Sequence, residues 1–208
     1  MMKLLKNEDA FTGLEAAIVL IAFIVVAAVF SYVMLGAGFF ATGEAQKVVH
    51  AGSQQASSSL EIIGNVYGYA ESATKLDYIV FTVGNTAGGT PIDISQMLVT
   101  YVCEKKSDVI GFKSGAAQYK DADGFDPKSV GSHLSAGEWT VIKTYNNVGE
   151  GDKLLESGEQ FVLAIVLPSD ARPGNNIPFS INLQPAVGAV YPIKKTVPAN
   201  LDKVNILY

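Results

Sequence analysis

The sequence predicts an α+β fold, in which a long N-terminal α-helix is followed by an all-β sandwich. Three observations predict it. Residues 16–43 form a run of 28 residues without a single charge. Beyond this run, apolar residues recur at every third or fourth position to about residue 68, which is typical of an amphipathic helix. From about residue 74, short β-type runs alternate with turn residues, and no helical period lies between them.

The first ten residues, "MMKLLKNEDA", form a short polar leader. Lys3 and Lys6 precede the apolar run, and positive charge at this position favours keeping the N-terminus in the cytoplasm. A secretory signal peptide has a shorter apolar core that ends in a small-residue cleavage site. The apolar core here is too long for that, so we expect it to be retained.

The uncharged run predicts a membrane-spanning helix. As a helix it extends roughly 40 Å, more than the roughly 30 Å bilayer core. Its many β-branched residues favour a strand in water, but a run of this length without a turn is too long for one strand. A helix satisfies every backbone group internally, as a bilayer requires. We predict a helical segment over residues 11–70.

A band of small residues lies near the end of this run. Its members are Gly36, Ala37, Gly38 and Ala41. Small residues let helix backbones approach closely in an apolar medium, which predicts a helix-packing site. The alternative is a glycine-weakened helix end or a kink.

Six β-type runs follow. They cover residues 76–83, 96–103, 138–145, 160–167, 177–183 and 187–193. Clusters of Gly, Pro and Asn separate them, as in "GNTAGGTP" and "PSDARPGNN". This pattern predicts an immunoglobulin-like β-sandwich over residues 71–208.

The composition excludes several classes of function. The chain has 15 basic and 20 acidic residues and no basic patch, which argues against nucleic acid as a partner. Cys103 is the only cysteine and is expected to be a small buried hydrophobe. His50 and His133 have no neighbours at a metal-site spacing. No catalytic constellation or phosphate-binding loop is found, so we predict no enzyme and no cofactor.

The loop "KDADGFDP" is a weak candidate for a metal site. Asp121, Asp123 and Asp126 surround a glycine, and clustered carboxylates bind calcium in some loops. The full EF-hand spacing and its terminal Glu are missing. A solvated turn that ends at Asp126 is the favoured interpretation. No N-x-Ser/Thr sequon occurs in the chain.

The stretch "FTGLEAAIVLIAFIVVAAVFSYVMLGAGFFATGEAQKVVHAG" closely resembles the N-terminal helix of archaellins, the archaeal flagellar filament subunits, especially those of methanogens. In the C-terminal third, "SAGEWTVI", "GEQFVLAIVLP" and "PFSINLQPAVGAVYPIKKTVPANL" also resemble that family, whereas residues 84–135 add little. The resemblance implies a β-sandwich head on a filament-core helix. The leader resembles a class III, type IV pilin-like signal, which implies cleavage between Ala10 and Phe11 by a prepilin-type peptidase.

This cleavage gives Glu15 a partner. A carboxylate entering a bilayer is costly, so such acids are usually paired or functional. Cleavage creates an α-amino group at Phe11, four residues before Glu15, in the same or a neighbouring subunit. The alternative is an uncleaved signal anchor, which leaves the acid unexplained.

Three functions remain in competition. The first is a structural subunit of the archaeal flagellum: a precursor in the cytoplasmic membrane loses residues 1–10, joins the assembly platform and motor, and polymerises with copies of itself into an extracellular filament for swimming. The second is an adhesive type IV-like pilin. The third is a membrane-anchored extracytoplasmic binding module or enzyme.

Overall fold

The computed structural model describes residues 2–57, 59–86, 88–104, 106–113, 130, 134–148 and 153–208. The chain divides into two compact units, Met1–Ala51 and Gly52–Tyr208. The first consists of most of one α-helix, α1, which extends over Met2–Ser57, so that its last six residues fall in the second unit. The second is a β domain.

The long N-terminal helix is confirmed, but its predicted C-terminal limit at residue 70 is wrong. α1 ends at Ser57, and Leu60–Tyr69 forms a β-strand. The apolar spacing in this strand imitates a helix because a bulge interrupts it: the pairing register shifts between Ile63 and Tyr67, and Gly64 has a φ of 83°. A bulge changes which face of the sheet the next residues occupy, so the apolar and polar residues of the strand no longer alternate with a period of two.

The β domain contains eleven strands in the described part of the chain, and a 3-10 helix at Ile94–Gln96. The strands are β1 Leu60–Tyr69, β2 Tyr78–Asn85, β3 Ile92–Asp93, β4 Leu98–Cys103, β5 Lys106–Phe112, β6 Glu138–Tyr145, β7 Leu154–Leu155, β8 Gln160–Val166, β9 Pro178–Gln184, β10 Tyr191–Thr196 and β11 Val204–Leu207.

Nine of these strands form a continuous order, β10-β9-β4-β5-β6-β8-β2-β1-β11, and β3 pairs with β7. The order folds into two layers. One holds β10, β9, β4 and β5, and the other holds β6, β8, β2, β1 and β11. They are joined where β5 runs parallel to β6 over two residue pairs, whereas the pairs within each layer are antiparallel. The backbone N–H of Thr196 also donates to the carbonyl of Tyr208 at 3.3 Å, so the two ends of the order meet.

The two layers share one hydrophobic core. Alternate residues of β4 and β9, such as Tyr101 and Ile181, join the same buried cluster as Phe81 of β2 and Leu163 of β8. Trp139 lies in this cluster, tilted against Phe112 with 4.7 Å between ring centroids. A shared core between two strand layers is the arrangement of a sandwich, so the predicted fold class is confirmed.

A second buried cluster lies on the opposite face of β2 and β8. It includes Tyr78, Val80 and Val166, with Val130 and Leu134 packed against them. Tyr78 also stacks on Tyr69, with ring centroids 4.7 Å apart. β2 and β8 are therefore covered on both faces, which explains why their sequences are nearly continuous apolar runs.

The predicted strands are largely confirmed. β6 has the predicted bounds, and β2, β4, β8 and β9 differ by one or two residues at their ends. The last predicted run, 187–193, is shifted: β10 begins only at Tyr191, because a turn with Gly188 at a φ of 125° occupies its first residues. β1, β5 and β11 were not predicted, and neither were the short strands β3 and β7.

Candidate functional site

The main candidate site is the surface of α1. The segment Gly13–Ala56 has a mean hydropathy of 2.9 over its most apolar window, none of which is buried, and it is long and apolar enough to cross a membrane. Phe23, Phe39 and Phe40 are all exposed by more than 70%. Contiguous apolar surface of this extent marks a contact with a membrane or with other protein.

Glu15, the predicted partner of the N-terminal amine, lies at the start of this surface. Glu15 is exposed on α1, and no cation pairs with it among the described side chains. Ala10 and Phe11 lie in the helical backbone, while their side chains are outside the description. Residues four apart in a helix are neighbours on one face, about 6 Å apart along the axis. The helix therefore puts positions 11 and 15 on the same face, about one turn apart.

The small-residue band lies in unbroken helix. The helix continues past Gly36, Ala37, Gly38 and Ala41 to Ser57, so the band is not a helix end. A Cβ atom placed at Gly36 or Gly38 would meet nothing within 4 Å outside the local helix backbone. The band is thus an open, shallow surface. The hydroxyl of Thr42 donates to the Gly38 carbonyl at 2.8 Å and so satisfies itself within the helix.

Charge returns immediately after the apolar run. Lys47 Nζ donates to Glu44 Oε1 at 2.8 Å, and both side chains are exposed. Such a surface pair adds little to stability. The pair was not predicted as a site, although its three-residue spacing in a predicted helix is a sequence signal.

A cleft of about 760 Å³ opens in the β domain, and the two basic side chains described in its lining, Lys106 and Arg172, are each paired with an acid. Lys106 forms an ion pair with Asp170, and Arg172 forms one with Asp77. The Lys106 hydrogen bond lowers the pKa of the Asp170 carboxyl below its ordinary value. These pairs tie the loop after β8 to the β4–β5 hairpin and to the residue before β2. We interpret the cleft as a structural junction.

Cys103 lines the same cleft and belongs to the core cluster, 7% exposed. Its prediction as a buried hydrophobe is confirmed. His50 is exposed on α1. Among the described residues, no group of three or more His, Cys, Asp and Glu side chains is placed to hold a metal ion. The acidic loop with Asp121, Asp123 and Asp126 lies outside the described residues. His133 lies outside them as well.

An exposed apolar helix joined to a β domain with its own core is the arrangement of a protein held by its helix in a membrane or in an assembly of helices. The sequence matches the family described as archaeal-type flagellin over residues 10–195. The chain belongs to the archaeal-type flagellin family.

Individual relatives agree with this assignment. The chain is 38% identical to "Probable flagellin 1" of Archaeoglobus fulgidus, over 99% of this chain and 98% of the relative. It is 94% identical to the "24 kDa flagellin" of Methanospirillum hungatei over 32 residues, 15% of this chain and all of that sequence.

Solved structures agree as well. The archaeal flagellum of Methanospirillum hungatei strain JF1 superposes with a TM-score of 0.69 at 29% identity, over 94% of this chain and 99% of that chain. The crystal structure of flagellin FlaB1 from Methanocaldococcus jannaschii gives a TM-score of 0.61 at 21% identity, over 72% of this chain and 96% of that one, and supports the fold. The predicted resemblance to archaellins is confirmed.

Proposed function

We propose that this chain is a structural subunit of an extracellular archaeal flagellar filament, which it forms by self-assembly for swimming motility. One observation carries the proposal: none of the most apolar window of α1 is buried by the described residues, whereas the β domain buries its own core. Copies of the same helix offer that cover. Contacts between different surfaces of identical copies continue without closing into a ring, and so build a helical filament.

The proposal includes a membrane stage. Before assembly, a bilayer covers the apolar surface, because an uncharged helix of this length spans it. Transfer from lipid to a bundle of helices exchanges one apolar environment for another. The small band of Gly36, Ala37, Gly38 and Ala41 then allows close approach of neighbouring backbones. On this proposal the chain acts by assembly and catalyses no reaction.

Processing is the second part of the proposal. A prepilin-type peptidase cuts between Ala10 and Phe11, and the assembly platform and motor receive the processed subunit. The new amine at Phe11 pairs with Glu15 in the same or a neighbouring copy. The i, i+4 relation of the two residues in α1 supports this pairing.

Two measurements test the function. N-terminal sequencing of the mature protein should begin at Phe11, and a retained Met1 would contradict processing. Electron microscopy of the purified protein should show thin filaments. Detergent-solubilised monomers that never assemble would favour a membrane-anchored binding module instead.

A substitution tests the role of the acid. Glu15→Gln keeps the shape of the side chain and removes its charge, so we expect normal membrane insertion and a reduced filament yield. Glu44→Gln is the matched control, because Glu44 pairs with Lys47 within its own helix. Equal filament yields from the two variants would refute the pairing with the amine.

A further inference from the structure

Tyr32 brings a hydroxyl group to the apolar surface of α1. It is 81% exposed, more than any other large apolar side chain described on the helix. Sixteen uncharged residues precede it in the run and eleven follow it. Its hydroxyl makes no hydrogen bond within the described residues.

The helix itself offers this hydroxyl no partner. Thr42 has a short side chain and reaches back to the Gly38 carbonyl of its own helix at 2.8 Å. The rigid ring of Tyr32 instead holds its hydroxyl away from the backbone of its own helix, beyond the reach of a bond of the kind that Thr42 makes. The hydroxyl of Tyr32 therefore depends on its surroundings.

Those surroundings differ between the precursor and the filament. Tyr32 lies about 26 Å along the axis from Glu15, so with Glu15 at the inner boundary Tyr32 comes close to the outer boundary of a roughly 30 Å bilayer core. Tyrosine is common at that boundary, because its hydroxyl reaches water there. A bundle of helices excludes this water, and a buried hydroxyl without a hydrogen bond is unfavourable.

We propose that the Tyr32 hydroxyl donates a hydrogen bond to an oxygen atom on the helix of a neighbouring copy of this chain. This inference rests on the proposed filament function and names a residue that positions one helix against the next. Because the bond has a direction and a fixed reach, it restricts the axial offset of two helices that apolar contacts alone leave free to slide.

Tyr32→Phe tests the inference, because it removes the hydroxyl and keeps the ring. The full-length precursor is expressed with its processing machinery, filaments are purified, and free subunit is measured after sedimentation. We expect unchanged membrane insertion and a roughly fivefold rise in free subunit, as for the loss of one hydrogen bond. Thr42→Val is the matched control and should change the free subunit little, since its bond lies within one helix.

A vibrational measurement supplies a second readout. The difference between the Raman spectra of wild type and Tyr32→Phe isolates Tyr32 among the nine tyrosines. It should show a donating hydroxyl in filaments that is hydrated in the membrane precursor. Tyr32→Phe filaments with the free-subunit level of the wild type, or an equal rise in Thr42→Val, would overturn the inference. A wild-type protein that forms no filaments would overturn the proposed function and this inference with it.

Discussion

Two threonines of β6 differ in one respect that unfolding experiments can measure. Thr144 is 0% exposed, and its hydroxyl has no hydrogen-bond partner in the described part of the chain. Thr140 is 2% exposed, and its hydroxyl donates to the Lys113 carbonyl at 3.0 Å. Valine replaces the hydroxyl with a methyl group at either position. Threonine and valine are both favourable in strands, so the change reports mainly on the hydroxyl.

The expected effects have opposite signs. A buried hydroxyl without a partner costs about 1–3 kcal/mol, and Thr144→Val removes that cost while adding an apolar group to the interior. We therefore expect the free energy of unfolding to rise by about 1–2 kcal/mol. Thr140→Val removes a formed hydrogen bond, and we expect it to lower the free energy of unfolding by about 1 kcal/mol.

The chain provides its own probe for this comparison. Trp139 is its single tryptophan and is fully buried in the β domain. Urea unfolding of the full chain in detergent, followed by tryptophan fluorescence, should move the midpoint upward for Thr144→Val and downward for Thr140→Val. The dependence on urea should stay unchanged in both, since the exposed surface is the same. A loss of stability in Thr144→Val would show that its hydroxyl is satisfied, and would refute the reasoning.

Two further predictions concern the β domain. Gly68→Ala should lower the free energy of unfolding by about 1–3 kcal/mol, because its Cβ would lie 2.7 Å from Cδ1 of the fully buried Leu76; a wild-type urea midpoint would contradict this. The second concerns pH. The backbone N–H of Ser135 and the Lys113 ammonium lower the pKa of the Glu138 carboxyl. The charged Glu138 carboxylate thus stabilises the fold fully above about pH 4.3, the ordinary pKa of a glutamate carboxyl. This stabilisation is lost as the pH falls through the lowered pKa of the folded state. The stability difference between wild type and Glu138→Gln should therefore shrink as the pH is lowered from 6 to 3, and a constant difference would count against the assignment.

Strand positions were predictable where local pattern and burial coincide. β6 was predicted with its observed bounds, because turn residues bracket a β-branched run. β2 and β8 were predicted because burial on both faces produces continuous apolar runs. The apolar spacing of β1 predicts a continuation of the helix, since its bulge at Gly64 breaks the alternation of a strand. β11 was missed because four residues contain too little pattern, and pairing with β1 supplies their stability.

Some features of the candidate site were predictable from the sequence, and others required the structure. The uncharged run and Glu15 stand out in the sequence, because charge patterning along one helix needs no knowledge of the rest of the chain. That Thr42 satisfies its hydroxyl internally, whereas Tyr32 does not, became visible only with side-chain geometry.

The sequence by itself determined the two-part organisation of this protein: a helix apolar enough to need a membrane or other helices, followed by strands that form a β domain. These properties follow from composition and period along the chain, which are local. The tertiary structure decided where the helix ends, which strands are neighbours, and how the parallel contact between β5 and β6 joins the two layers. Strand pairing joins residues far apart in the chain, and its stability comes from partners that no local window contains.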